Sequence, residues 1–254
     1  MMHIEDEARS AIFKHAQAEY ESPAGKRESC GLIVLRRGRQ LYRPCKNIAE
    51  GGEHFAIDPE DYVQAEDEAH GDVLAVVHSH PDAQAIASQG DLVGCERSGL
   101  PWVTVSFPVS DLQIIEPSQY EAPLIGRQFV YGVLDCYTLV QDWYKRELGI
   151  DVPPPPVEAQ RPLWWKRGPN GEAPADLYLQ GYAAAGFMRI EELQPGDVIL
   201  MQIEADVANH SAIYLGEQLI LHHLWGRLSG RDIWGGYWMK HSRCFVRHQS
   251  MVKL

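Results

Sequence analysis

The run Val73-Leu74-Ala75-Val76-Val77-His78-Ser79-His80-Pro81, followed by Ser88 and Asp91, constrains this chain more than any other feature. Five apolar residues in a row predict a buried strand. Two histidines one residue apart at its end leave that strand on the same face. Asp91 can then add an oxygen ligand. Imidazole and carboxylate both bind Zn²⁺, and three protein ligands leave the fourth tetrahedral position open, as in catalytic rather than structural sites. Hydrolysis at such a position needs a base that takes a proton from water and later hands it to a leaving amine. Glu28, in Glu28-Ser29-Cys30-Gly31 just ahead of the strand-like residues 32–35, is the candidate.

The Glu-Ser-Cys-Gly turn, the His-x-His-Pro and the Ser-x-x-Asp together resemble the JAMM (MPN-type) zinc isopeptidases over roughly residues 1–115. The segment Phe55-Ala56-Ile57-Asp58-Pro59 is similar to the one that precedes the second helix in prokaryotic members. The resemblance implies that His78, His80 and Asp91 bind zinc, that Glu28 is the acid/base, and that Ser88 helps stabilise the tetrahedral intermediate. Zinc binding without turnover, in a decayed enzyme, is the rival.

A second constellation lies downstream. Asp135-Cys136-Tyr137 is followed by Leu139, Val140, Trp143, Tyr144 and Leu148, apolar at helical spacing, which puts Cys136 at a helix N-terminus. Unpaired N–H groups and the positive dipole end there are expected to lower a thiol pKa. His210, heading the alternating strand Ser211-Ala212-Ile213-Tyr214-Leu215, is the partner on offer. His222 sits twelve residues on, in a second strand over 219–223, and two antiparallel strands joined near Gly216-Glu217-Gln218 would bring it alongside His210. His223 stays open as the alternative, because a register shift of one residue exchanges the two faces.

This order, a cysteine at a helix start and two histidines on consecutive strands, resembles the NlpC/P60 cysteine peptidases over about residues 125–250. That resemblance implies a papain-like fold, Cys136 as nucleophile, His210 as base, His222 as orienting residue, and stem peptides of bacterial peptidoglycan as substrate. Two departures stand out. The usual Asp-Cys-Ser-Gly is Asp135-Cys136-Tyr137-Thr138, with a bulky side chain expected to reshape the groove. Phe129 also stands where a tyrosine hydroxyl is usual.

The chain of 254 residues is long enough for two domains of about 120. The expectation is therefore a mixed α+β chain with domains at 1–118 (JAMM/MPN-type, cytidine-deaminase-like) and 124–254 (NlpC/P60), and a boundary in the aperiodic stretch between Glu116 and Gly126. A net charge of −12 with no basic run argues against nucleic acid as a main partner. Five widely spaced cysteines, without a CxxC pair, suggest neither disulfides nor a cysteine metal site. The acidic start, Met1-Met2-His3-Ile4-Glu5, does not look like a signal peptide, and no apolar run is long enough for a membrane span. The aromatic stretch with Trp225, Trp234, Tyr237 and Trp238 reads as core or groove lining, and the prolines at 153–156 as a surface excursion.

The fusion of both domains in this order resembles the tail-tip assembly proteins of lambda-like phages and prophages. It implies assembly in the host cytoplasm, a place at the virion tail tip, and other tail-tip proteins as partners. A purely structural assembly factor and a cellular cell-wall hydrolase are the alternatives.

Overall fold

The computed structural model describes residues 2–23, 25–49, 54–70, 72–160 and 163–252. The outermost residues of the two expected domains, Met1 and Leu254, lie outside them. The backbone divides into two compact units, Met1–Glu121 and Ala122–Leu254.

In the first unit Ile4, Ala8, Ile12 and Ala16 recur every four residues, and this spacing makes one apolar stripe along α1 (Asp6–Tyr20). The stripe packs on one face of a mixed five-stranded sheet, against Ile33, Tyr42, Ala75, Val77, Val103 and Val105. The strands are β1 (Cys30–Arg36), β2 (Arg39–Cys45), β3 (Val73–Pro81), β4 (Trp102–Phe107) and β5 (Leu112–Ile115), in the order β2-β1-β3-β4-β5. The opposite face, with Cys30, Leu32, Val34 and Val76, is covered by Ala65 and Ala69 at the end of α2 (Pro59–Glu68). Pro59 starts that helix, and Asp58 caps it by accepting from the Glu60 N–H.

Strands β3 and β4 run parallel, so a crossover must join them; α3 (Gln89–Ser98) supplies it. Its Gly94 lies against the Trp102 indole, where a Cβ would sit 2.3 Å from Cη2. Trp102 also meets the His78 ring edge-on, at 5.6 Å. Gly94→Ala should therefore cost about 1–3 kcal/mol by overpacking. The check is a melting temperature lowered by several degrees; an unchanged one would show that Trp102 has room to move.

In the second unit α4 (Cys136–Trp143) and α5 (Leu177–Ala184) lie on one face of an antiparallel six-stranded sheet. Its strands are β6 (Phe187–Ile190), β7 (Val198–Met201), β8 (His210–Gly216), β9 (Leu219–His222), β10 (Gly230–Ile233) and β11 (Ser242–His248), ordered β10-β9-β8-β7-β11-β6. Leu139, Val140, Tyr144, Tyr182, Phe187, Val198, Leu200 and Ile213 form the core between them. A short helix, α6 (Gly236–His241), precedes β11.

The turn from β8 to β9 places Glu217 and Gln218 both at positive φ, the backbone twist that matches a tight hairpin. The helix that begins at Cys136 does not continue unchanged to Leu148. It widens into a π-helical turn over Tyr144–Leu148 and stops at Gly149, whose φ of 67° closes it. Pro153 and Pro154 lie exposed at the surface, whereas Pro155 and Pro156 are half-buried, Pro156 against Gly181 of α5. The aromatic stretch divides: Trp234 and Trp238 pack on the outer sheet face, whereas Trp225 is 82% exposed and Tyr237 52% exposed, so neither is core.

Candidate functional sites

Alternation along β3 brings His78 and His80 out on one face, with Ser79 turned away to bond Ser29. The His78 and His80 Nε2 atoms are 3.2 Å apart, and Asp91 lies 3.3 Å from the first and 3.5 Å from the second. A tetrahedral ion with bonds of 2.0–2.1 Å requires ligand–ligand edges of about 3.3 Å. The three side chains thus have both the donor types and the spacing of a zinc triad, and they are the one such group among the described residues.

His80 Nδ1 faces the carbonyl of Gln84 at 3.0 Å. Donation there fixes the tautomer and leaves the Nε2 lone pair free for a ligand. His78 is fully buried and stacks on Phe55 at 4.7 Å; its Nδ1 has no partner among the described residues. Burial lowers the His78 pKa. Burial alone would raise Asp91, but the bonds to His78 and His80 outweigh it and hold the carboxyl well below the usual range.

Asp91 also serves the helix. Its Oδ2 accepts from the Ser88 N–H at 2.6 Å, while Ser88 Oγ accepts from the Asp91 N–H at 3.1 Å. This reciprocal cap starts α3 and orients the carboxylate. Ser88 is thus first the helix cap; its own O–H hydrogen is left for another acceptor. Glu28 is buried beside the cluster. Burial pushes its carboxyl up to about 8, with His80 pulling it down and Asp91 pushing it up. A group with that pKa can both hold and release a proton near neutrality.

In the second unit Asp135 caps α4, its Oδ1 accepting from the Tyr137 and Thr138 N–H groups at 3.0 and 2.9 Å. Leu139 N–H bonds the Asp135 carbonyl, and the amide of Cys136 itself has no partner among the described residues. The thiol lies 3.5 Å from the Tyr178 hydroxyl, and its helix α4 packs on β8, the strand of His210 and Ser211.

The expected low thiol pKa is not found: burial, with Asp135 adding to it, pushes the Cys136 thiol up to about 11. Desolvation outweighs the helix dipole here. In the substrate-free chain the thiolate fraction at pH 7 is then about 10⁻⁴. Alkylation of Cys136 by iodoacetamide at pH 7 should be on the order of 100-fold slower in the native chain than in the urea-unfolded one, and should accelerate toward pH 11. Peptide mass spectrometry measures this, and equal rates would contradict it.

His210 and His222 come together as a buried pair, Nε2 to Nδ1 at 2.9 Å. Ala212 is the register partner of His222, so His210 sits diagonally across on the same face. His223 takes the other face, buried against Phe129 at 5.1 Å, and neither of its ring nitrogens is bonded among the described residues. Burial lowers the pKa of all three imidazoles.

Tyr137 does not shape a groove. It is buried, donates to the Pro153 carbonyl and packs on Tyr178 and Tyr182. Tyr178, on α5, brings a hydroxyl to 3.5 Å from the Cys136 thiol, a neighbour that the sequence pattern did not reveal. Asp232, 3.0 Å from His222 Nε2, was also missed. Alternation in Gly230-Arg231-Asp232-Ile233 marks a short strand, but only the pairing of β10 with β9 aims Asp232 at His222.

The family model for prokaryotic homologs of the JAB domain matches residues 5–115, and that of the NlpC/P60 family matches residues 126–247. Tail tip assembly protein K of Escherichia phage N15 is 39% identical over 243 residues, 95% of this chain and 94% of that protein. Its counterpart from Escherichia phage lambda is 35% identical over 196 residues, 76% of this chain and 90% of that protein. An NLP/P60 family lipoprotein-like structure from Staphylococcus aureus aligns at a TM-score of 0.30 and 23% identity over 49% of this chain and 37% of that one, a likeness too slight to bear on the site. With this extent of identity along nearly its whole length, and with a JAB-like unit ahead of an NlpC/P60 unit, the chain belongs to the tail tip assembly protein K family.

Proposed function

We propose that this tail-tip protein is a two-site peptidase serving tail assembly and entry. The domains are a zinc-dependent peptidase over 1–118 and a cysteine peptidase over 124–254 that hydrolyses peptidoglycan stem peptides. The observation that carries the reading is the His210–His222 pair at 2.9 Å, with His210 on strand β8, against which the helix begun by Cys136 packs. A nucleophile and two aligned imidazoles from three separate stretches have the composition of an acyl-transfer site.

In the cysteine site, Cys136 Sγ attacks the amide carbonyl as His210 takes the thiol proton. The amide of Cys136 donates to the developing oxyanion. His210 then gives the proton to the leaving amine, and water releases the acyl group by the same proton route in reverse.

In the first unit His78, His80 and Asp91 would hold zinc, which when bound supplies Lewis acidity at its open position. Glu28, buried beside the triad, takes a proton from water and passes it to the leaving nitrogen of a peptide or isopeptide bond. Ser88 directs its hydroxyl hydrogen to the tetrahedral oxygen. Other tail-tip proteins are the partners that such an assembly role calls for. No helix among the described residues is long and apolar enough to cross a membrane, and assembly would proceed in the host cytoplasm before the protein joins the tail tip.

The test is digestion of purified Gram-negative peptidoglycan with wild type and Cys136→Ala under reducing conditions, reading released muropeptides by mass. Release that depends on Cys136 supports the reading; no release by wild type sinks it. One second reading, a structural assembly factor with one or both sites inactive, is favoured by the assembly role for which both relatives are named.

A further inference from the structure

The candidate cysteine site extends beyond the two histidines. On adjacent strands β8, β9 and β10, one diagonal carries His210, His222 and Asp232, with contacts of 2.9 Å and then 3.0 Å. Gly230, not Asp232, is the register partner of His222, so no side chain crowds the ring from directly opposite. Arg227 holds the same Asp232 oxygen, at 3.2 Å. Trp238 packs edge-on against His222, with ring centroids 4.4 Å apart.

We propose that Asp232 is a positioning residue that sets the proton arrangement of both histidines. This rests on the cysteine-peptidase reading above. A carboxylate can only accept, so His222 must carry its proton on Nε2. Its Nδ1 is then an acceptor, and the proton between the rings must sit on His210 Nε2. That leaves His210 Nδ1 unprotonated, and it makes no hydrogen bond with any described residue. Nδ1 is the nitrogen left to receive the thiol proton. Without Asp232 the His222 proton can move to Nδ1, donate to His210 Nε2 and force the His210 proton onto Nδ1, which blocks the base.

Arg227 plays a supporting part, because by binding the oxygen that accepts from His222 it holds the carboxylate in place. Asp232 lies on the edge strand and is partly exposed, so its loss leaves the sheet intact.

The experiment compares full-length wild type, Asp232→Ala and Asp232→Asn. Asparagine still offers an oxygen that can accept from both His222 and Arg227. Nitrogen-15 imidazole shifts should show His210 and His222 protonated on Nε2 in wild type and in Asp232→Asn, and mixed tautomers in Asp232→Ala. On muropeptide substrate, kcat should fall about 10–100-fold in Asp232→Ala with KM little changed, because the residue that orients a catalytic histidine directly is worth about 10⁴ and this one acts a bond further out. Asp232→Asn should recover most of that loss. Unchanged tautomers in Asp232→Ala, or no recovery in an Asp232→Asn chain whose tautomers match wild type, would overturn the proposal. Tautomers that shift as expected in a chain with no peptidase activity would sink the peptidase reading and leave the proton alignment standing.

Discussion

Replacing Cys136 by alanine is expected to lower muropeptide release by about 10⁴-fold or more, to a level set by binding and the oxyanion donor alone. The size of the effect follows from the chemistry: without Sγ no acyl-enzyme forms, and His210 has no proton to accept. The backbone around the site should be undisturbed. Asp135, Thr138 and the first turn of α4 hold the cap without help from the thiol, and removing one buried sulfur costs about 1 kcal/mol. A far-UV melt within a few degrees of wild type, next to lost release, separates chemistry from folding. Undiminished release would place the nucleophile elsewhere.

The second large effect concerns the metal triad. His80→Ala is the cleaner variant, because His80 is partly exposed whereas His78 is fully buried under Phe55. Loss of a residue that merely orients a ligand costs about 10–100-fold in metal affinity, which is the lower bound for loss of a ligand itself. Wild type should retain one zinc per chain after dialysis, and His80→Ala should retain none. Zinc should also raise the melting temperature of wild type and not of the variant. Asp91→Ala removes a ligand and the N3 half of the reciprocal cap together, so about 0.5–1 kcal/mol of its effect should appear even without zinc. One zinc per chain retained by His80→Ala would refute the triad.

Much of this was legible in the sequence because local rules govern it. The four-residue spacing from Ile4 to Ala16, Pro59 after Asp58, and the apolar run into His78 each fix an element through backbone physics that needs no distant partner. The i, i+2 spacing of His78 and His80 alone puts both on one side of β3. Ser88 and Asp91, three apart, form both a cap and a ligand setting, a pairing that their spacing alone favours.

What escaped depends on tertiary placement. Taken locally, the helix dipole does favour a thiolate at Cys136, but the desolvation imposed by α5 and β8 is not visible from the helix alone. Tyr137 reads as a groove residue beside the nucleophile until the helix face turns it into the core. Asp232 belongs to the histidine pair only because β10 joins the edge of the sheet, a pairing that strand propensity does not encode. The exposure of Trp225 likewise follows from loop path rather than composition.

Two separate sites in one chain can be tested together by taking wild type, Cys136→Ala and His80→Ala and determining zinc content and muropeptide release on the same preparations. Cys136→Ala is predicted to keep its zinc and lose release, and His80→Ala to lose its zinc and keep release. Loss of both properties in either variant, or loss of neither, would contradict two independent sites.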